Sequence, residues 1–149
     1  MKIAVGADKY GFALKESLKK MLEQEGHEVI DCGTLTPAET EIDKAPEAVA
    51  EMVAAGKADG GILVDETGAA SSIIANKVPG IRAAQVGDLY SARLTKAHNL
   101  ANILCFGSAV TGPQTAEDCV KVWIETEFMY GNHSIRLDLL KELEERYGK

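Results

Sequence analysis

The chain of 149 residues carries no excess of positive charge: 16 lysines and arginines stand against 23 aspartates and glutamates, a formal charge of −7. No Lys/Arg block occurs, so the basic face that a nucleic-acid polymer requires is missing and no nucleic acid is expected as a partner. A few locally convergent cations would still suffice for an anionic small molecule. No apolar run approaches the roughly 20 residues of a membrane span, and no membrane partner is expected. Cysteine is scarce: Cys32, Cys105 and Cys119 are odd in number and lack C-x-x-C spacing, which suggests neither a disulfide framework nor a zinc site. Cys105, in an apolar strand, and Cys119, on a helix, read as small buried hydrophobes. The opening residues Met1 to Asp8 have no long apolar stretch and no cleavage-site pattern. They read as a first strand and not as an export signal, so a cytoplasmic location is expected. Internal repeats, low-complexity segments and linkers are also absent.

What is present is ordinary globular material. Apolar residues make up 46% and charged residues 26%, which excludes disordered and membrane compositions. The length fits one domain over residues 1–149, with roughly two-thirds of the unfolded surface available for burial. Five β-rich segments recur at intervals of roughly 20 to 30 residues, each followed by a helix or a loop and helix. They are Lys2 to Gly6, Glu28 to Cys32, Gly60 to Asp65, Ile81 to Val86 and Asn102 to Gly107. Leu14, Leu18, Met21 and Leu22 mark an amphipathic first helix, with Gly26 at its C-terminal turn. Val49, Met52 and Val53 repeat the pattern over Pro46 to Ala55, with Asp43 or Lys44 near the start and Gly56 just past the end. Asp88 is placed to cap a helix running to about His98, and Thr111-Gly112-Pro113 opens another. The expected fold is therefore α/β: a Rossmann-like three-layer α/β/α sandwich with a five-stranded parallel sheet and an extra C-terminal helix over Ile135 to Tyr147. That helix has no sixth strand to support, and its Leu139, Leu140, Leu143 and Tyr147 stripe suits packing on a second subunit. Gly33 to Ile42 is the longest irregular stretch.

Open parallel sheets bind ligands beyond the carboxyl ends of their strands, where strand order reverses. That rule selects Asp8 and Lys9 after strand one, Asp65 to Ser72 after strand three, Gly87 and Asp88 after strand four, and Ser108 after strand five. The loop Thr67-Gly68-Ala69-Ala70-Ser71-Ser72 leads into a helix, so its N–H groups could hold an oxyanion, or its small residues could merely permit tight packing. Asp65 and Glu66 read equally as acid–base groups, helix caps or solvated acids. His98-Asn99 ends the fourth helix, near the amino edge of the sheet, and cannot easily reach the strand-three loop of its own chain.

The stretches KIAVGADKYGFALK, GKADGGILV, TGAASSIIANKVPGIRAA, YSARLTKAHNLANILCFG and GNHSIRLDLL together resemble the ribose-5-phosphate isomerase B and galactose-6-phosphate isomerase family along nearly the whole chain. The resemblance implies aldose–ketose isomerisation of a sugar phosphate through a cis-enediol(ate), without metal or other cofactor, in a homodimer or tetramer with sites shared between subunits. It implies that Thr67, Gly68, Ala69 and Ala70 surround the reacting end and that Asp8 contacts sugar hydroxyls. His98 would assist ring opening, Asn99 would hold the sugar or enediolate, and Arg136 and His133 would belong to the C-terminal part of the binding site. Departures cluster in the site. Asp65 stands at the common cysteine base position, Ser71 at the glutamate alternative, Lys9 at a usual histidine, Ile42 at a usual tyrosine, and Ala109 and Asn132 at usual phosphate-contacting arginines. Asp65 is the expected proton-transfer base, with Lys9 compensating for one lost arginine. ILVDETGAASS is most similar to the galactose-6-phosphate isomerase A subunit, which works with a B-type partner. Two alternatives therefore stand beside the isomerase: a catalytically silent subunit or sugar-binding module that completes half-sites of a paralogous partner, and an isomerase for an unphosphorylated sugar.

Overall fold

The computed structural model describes residues 1–38 and 44–148. The expectations for Ile42 and Asp43 lie outside the described residues. Its elements, in chain order, are β1 (Lys2–Ala7), α1 (Phe12–Gln24), β2 (Glu28–Asp31), α2 (Lys44–Ala54), β3 (Gly60–Asp65), α3 (Ala69–Ala75), β4 (Ala83–Gln85), α4 (Leu89–Asn99), β5 (Ile103–Gly107), α5 (Pro113–Glu125) and α6 (Asn132–Tyr147). The five strands form one parallel sheet in the order β2-β1-β3-β5-β4. The expected α/β/α sandwich is the observed fold.

Period-two alternation decides which side chains reach which layer. Ile3, Val5, Ile62, Val64, Leu104 and Phe106 join Leu14, Leu18 and Leu22 of α1 and Val120 and Trp123 of α5 in one core cluster. Ala4, Leu63, Ile103 and Cys105 join Val49 and Ala50 of α2 and Ala75 of α3 in the other. Trp123 is fully buried and its indole N–H donates to Ala101 O at 3.0 Å. A Cβ on Gly60 would lie 2.6 Å from that ring, so glycine there is a condition of the close approach. Cys105 and Cys119 are buried; burial pushes the Cys119 thiol up to about 11 and Cys105 further, so both are inert thiols at neutral pH.

Helix ends follow the local chemistry. Asp88 caps α4, accepting from Ser91 N at 2.8 Å, and Pro113 occupies the first turn of α5 behind Gly112. The fourth strand is shorter than the expected Ile81 to Val86 segment; at its start Ile81 still closes a turn, with Ile81 N donating to Val78 O. Two asparagines of the characteristic stretches then shape the strand's entry. Asn76 bonds both Ala83 N and Ala83 O, at 2.8 Å each, and Asn102 accepts from Arg82 N and donates to Gly80 O. The residues that carry much of the resemblance are thus fold-forming.

The first-helix periodicity does not reveal Lys15. Its side chain is completely buried, and Nζ donates to both oxygens of Asp31, at 2.8 and 2.9 Å, and to Thr34 O at 2.7 Å. Lys19 and Gly33 N also donate to Asp31. This polar knot fastens α1 to the exit of β2. Because Lys15 N donates to Gly11 O, it also fixes the helix start that follows Asp8.

Candidate active site

The chain passes from β1 outward to β2 and returns beyond β1 to β3, so strand order reverses between β1 and β3. The loops leaving those two strands are packed directly together. Asp8 N donates to Val64 O at 3.2 Å, and Asp8 Oδ1 accepts from Gly11 N at 2.8 Å. A Cβ on Gly11 would lie 2.2 Å from Val64 O, so only glycine lets the β1 loop sit on the end of β3. Lys9 is exposed beside it, with Nζ 4.9 Å from the Tyr10 ring centroid. A cavity of about 310 Å³ opens between the starts of α1 and α5, lined by Tyr10, Leu14, Ser108 and Thr111 among others.

The strand-three loop is built around Asp65, which is 6% exposed. Its Oδ1 accepts from Thr67 N at 2.8 Å and from Gly68 N, and its Oδ2 accepts from Ser71 N at 2.8 Å. Burial alone would raise the proton affinity of this carboxyl. The Ser71 hydroxyl and the N–H groups of Ser71, Gly68 and Thr67 outweigh burial and hold it below the ordinary carboxylate value. The expectation that the loop's N–H groups stand open for an oxyanion is therefore corrected for Thr67, Gly68 and Ser71, whose N–H groups are turned onto Asp65. Ala69 N is directed to Thr67 Oγ1 at 3.3 Å. The expectation of Asp65 as a base meets the same environment, which stabilises the charged form and opposes proton uptake.

Neighbouring strands clamp this loop. Ser108 N donates to Asp65 O at 2.8 Å and Ala109 N to Glu66 O at 3.0 Å. Gly68 has φ +84°, and a Cβ there would press on Phe106 and Gln85; one on Gly107 would lie 2.5 Å from Thr67 C. Gln85 Nε2 donates to Thr67 O at 2.7 Å. Sequence reading did not select Gln85, although its place at the carboxyl end of β4 was the available signal. Thr67 and Ala70 are exposed and Ala69 is half-buried, so the loop presents small side chains to solvent beside Asp8 and Lys9.

A second cluster forms elsewhere from residues distant in sequence. The rings of His98 and His133 stack at 4.1 Å between centroids with an 8° interplanar angle, and Arg136 Nη1 donates to Asn99 Oδ1 at 2.5 Å. Partial burial, then His98 and Arg136, lower the proton affinity of His133. Asn99 and Arg136 also line a groove of about 710 Å³ with Arg82, Leu140 and Glu144. The cluster sits where α4 ends and just before β5 begins, at the amino edge of the sheet. The strand-end cluster is at the other edge, with the five-residue strand β5, about 16 Å long, running from one edge to the other. Each predicted site residue thus falls into one of two groups: Asp8, Lys9, Asp65, Thr67, Gly68, Ala69 and Ala70, or His98, Asn99, His133 and Arg136. Among the described residues no group of three or more His, Cys, Asp or Glu side chains could hold a metal ion, and no helix is long and apolar enough to cross a membrane.

A doubly wound α/β sheet whose β1/β3 reversal carries hydroxyl-, amide- and cation-bearing groups is the setting in which open parallel sheets bind small ligands. Comparison with known proteins gives the family. The Ribose/Galactose Isomerase family model matches residues 3–140, and the chain belongs to that family of sugar-phosphate isomerases. It is an enzyme of the isomerase class. It is 41% identical to ribose-5-phosphate isomerase B of Escherichia coli K12 over 145 residues, covering 97% of each chain. It is 40% identical to galactose-6-phosphate isomerase subunit LacA of Clostridium acetobutylicum, covering 96% of this chain and 99% of that one. The solved ribose-5-phosphate isomerase B of Clostridium thermocellum superposes with a TM-score of 0.96 at 42% identity, covering 99% of both chains.

Proposed function

We propose that the protein interconverts an aldose phosphate and a ketose phosphate through a cis-enediol(ate), acting in the cytoplasm as a homodimer or tetramer. In each site, the strand-end group of one subunit would face the His98 group of another. The observation that carries this reading is the division of the site residues between opposite edges of the sheet. Neither half alone combines a loop that encloses the reacting carbons with groups for ring opening and for the anionic end; two facing copies do. In the completed site Asp8 binds sugar hydroxyls, and Thr67, Gly68, Ala69 and Ala70 surround the reacting end. His98 assists ring opening and Asn99 holds the sugar or enediolate. Arg136, His133 and Lys9 receive the phosphate, with Arg136 offering a fork for its oxygens. Enediolate chemistry of this kind needs a base near the C–H bond and donors at the developing oxyanion, and no cofactor.

A specific observation also favours a second reading. With the Asp65 carboxylate occupied by its own loop, the chain would complete half-sites of a paralogous subunit that carries a freer base. The similarity to a protein named as a subunit of galactose-6-phosphate isomerase supports this alternative. One experiment separates the two: incubate the purified protein in deuterated water with tetrose, pentose and hexose phosphates and their unphosphorylated counterparts, and measure deuterium at the carbon next to the carbonyl. Incorporation into a sugar phosphate by the protein alone supports the first reading. Incorporation only after addition of a paralogous subunit supports the second, and incorporation only into unphosphorylated sugars removes the phosphate from both.

A further inference from the structure

We propose that Asp65 is a positioning residue: an internal anion that holds the strand-three loop in its working shape, while a different group serves as the base that moves the proton. The second half of the statement rests on the isomerase reading above. The argument begins with acceptor capacity. A carboxylate has two oxygens and about four lone-pair directions. Here three backbone N–H groups and the Ser71 hydroxyl are directed at them, from residues spread over Thr67 to Ser71. The carboxylate therefore fixes the path of the chain from the end of β3 through the first turn of α3.

A proton-transfer base must accept a hydrogen from carbon and hold it during the reaction. Protonation of Asp65 would convert one oxygen into an O–H donor facing N–H donors, and at least one of the loop bonds would be lost at that moment. Both carboxylate oxygens are engaged, Oδ1 by Thr67 N and Gly68 N and Oδ2 by Ser71 N, and the loop backbone is held independently by Gln85 on Thr67 O and by Ser108 N on Asp65 O. Proton transfer from a substrate carbon to either oxygen would compete with those N–H donors. The same arrangement gives the charge a purpose. The N–H groups of Gly68, Ala69 and Ser71 at the start of α3 are satisfied from within, so this part of the loop is formed before substrate arrives, with Thr67 and Ala70 exposed.

The test uses the full-length protein labelled with ¹³C and ¹⁵N. The Asp65 carboxyl carbon and the Thr67, Gly68 and Ser71 amides are followed by NMR from neutral pH into acid. The expected result is a carboxyl midpoint below the ordinary aspartate value of 3.8, with the three amides shifting at the same midpoint. A midpoint above that value, or amides that ignore it, overturns the proposal without any variant. In Asp65→Asn, amide exchange at the three positions should accelerate by about ten- to a hundredfold. On a sugar phosphate that the wild-type protein isomerises, Asp65→Asn should raise KM as well as lower kcat and should retain the wild-type acid limb of the pH profile. Loss of that limb with KM unchanged identifies Asp65 as the base and overturns the proposal. Failure of the wild-type protein to isomerise any sugar phosphate would count against the proposed reaction, whereas the titration and exchange results bear on Asp65 alone.

Discussion

Replacing Lys15 with methionine tests the polar knot beneath the β1 loop. The side chain is fully buried and makes three hydrogen bonds, two to Asp31 and one to Thr34 O, beside an ion pair with the more exposed Glu16, while the Asp31 side chain is 14% exposed. Methionine fills similar volume, so the loss is mainly electrostatic: a largely buried carboxylate loses one partner and a carbonyl loses its donor. Breaking such a pair from one side costs about 3–5 kcal/mol when nothing replaces the missing partner. Lys19 and Gly33 N still reach Asp31, which places the expected loss near the lower end, about 3 kcal/mol. For a chain of this size that corresponds to a fall in Tm of roughly 6–12 °C. Urea unfolding at fixed protein concentration measures it, and Lys15→Met/Asp31→Leu should lose less than the sum of the two single changes, because each single variant strands the other group. A single-variant loss under about 1 kcal/mol, or simple additivity, would refute the reasoning.

Gly11→Ala should destabilise the protein by about 1–3 kcal/mol and raise KM for a sugar phosphate, because the new methyl meets backbone at Val64 and displaces the loop that carries Asp8; steady-state kinetics beside urea unfolding checks both. Acid should also be destabilising in a defined way. Asp31 and Asp65 both have proton affinities lowered by folding, Asp31 because Lys15, Lys19 and Gly33 N outweigh burial. Their contribution is therefore present above the ordinary aspartate value of 3.8 and is lost as pH falls through the lower folded values. The urea midpoint should begin to drop as pH falls below about 3.8 and continue to drop further into acid, and the drop should shrink in Lys15→Met; a midpoint independent of pH below 3.8 would contradict the assignment.

The fold was legible because strands covered on both faces are nearly continuous apolar runs, and amphipathic helices separate them at regular intervals. Gly60 to Asp65 and the Asp88 cap match their expectations residue for residue. What escaped was long-range polar bonding. Lys15 lies among the apolar positions of α1 in the fold but looks like a surface residue in sequence, since its partner Asp31 comes from a different element. For the candidate site, the strand-end rule selected Asp8 and the Thr67 loop, and the resemblance selected His98, Asn99, His133 and Arg136, which the structure places in two separate groups. Neither could reveal that the Asp65 oxygens would be consumed by N–H groups up to six residues away, because an acidic residue opening a loop reads alike as base or brace. Ser71, noted as a departure from a glutamate, becomes intelligible as one of the donors to that brace.

The central claim, a site assembled from opposite edges of two subunits, is tested most directly by complementation. Asp8→Ala damages only the strand-end half and His98→Ala only the other, so each homomer should be nearly inactive. After subunit exchange, a mixed dimer regains one intact site, and an equal mixture should recover about a quarter of the wild-type isomerase rate. A mixture that exchanges subunits yet stays as inactive as its components, beside an active wild-type protein, would contradict the shared site.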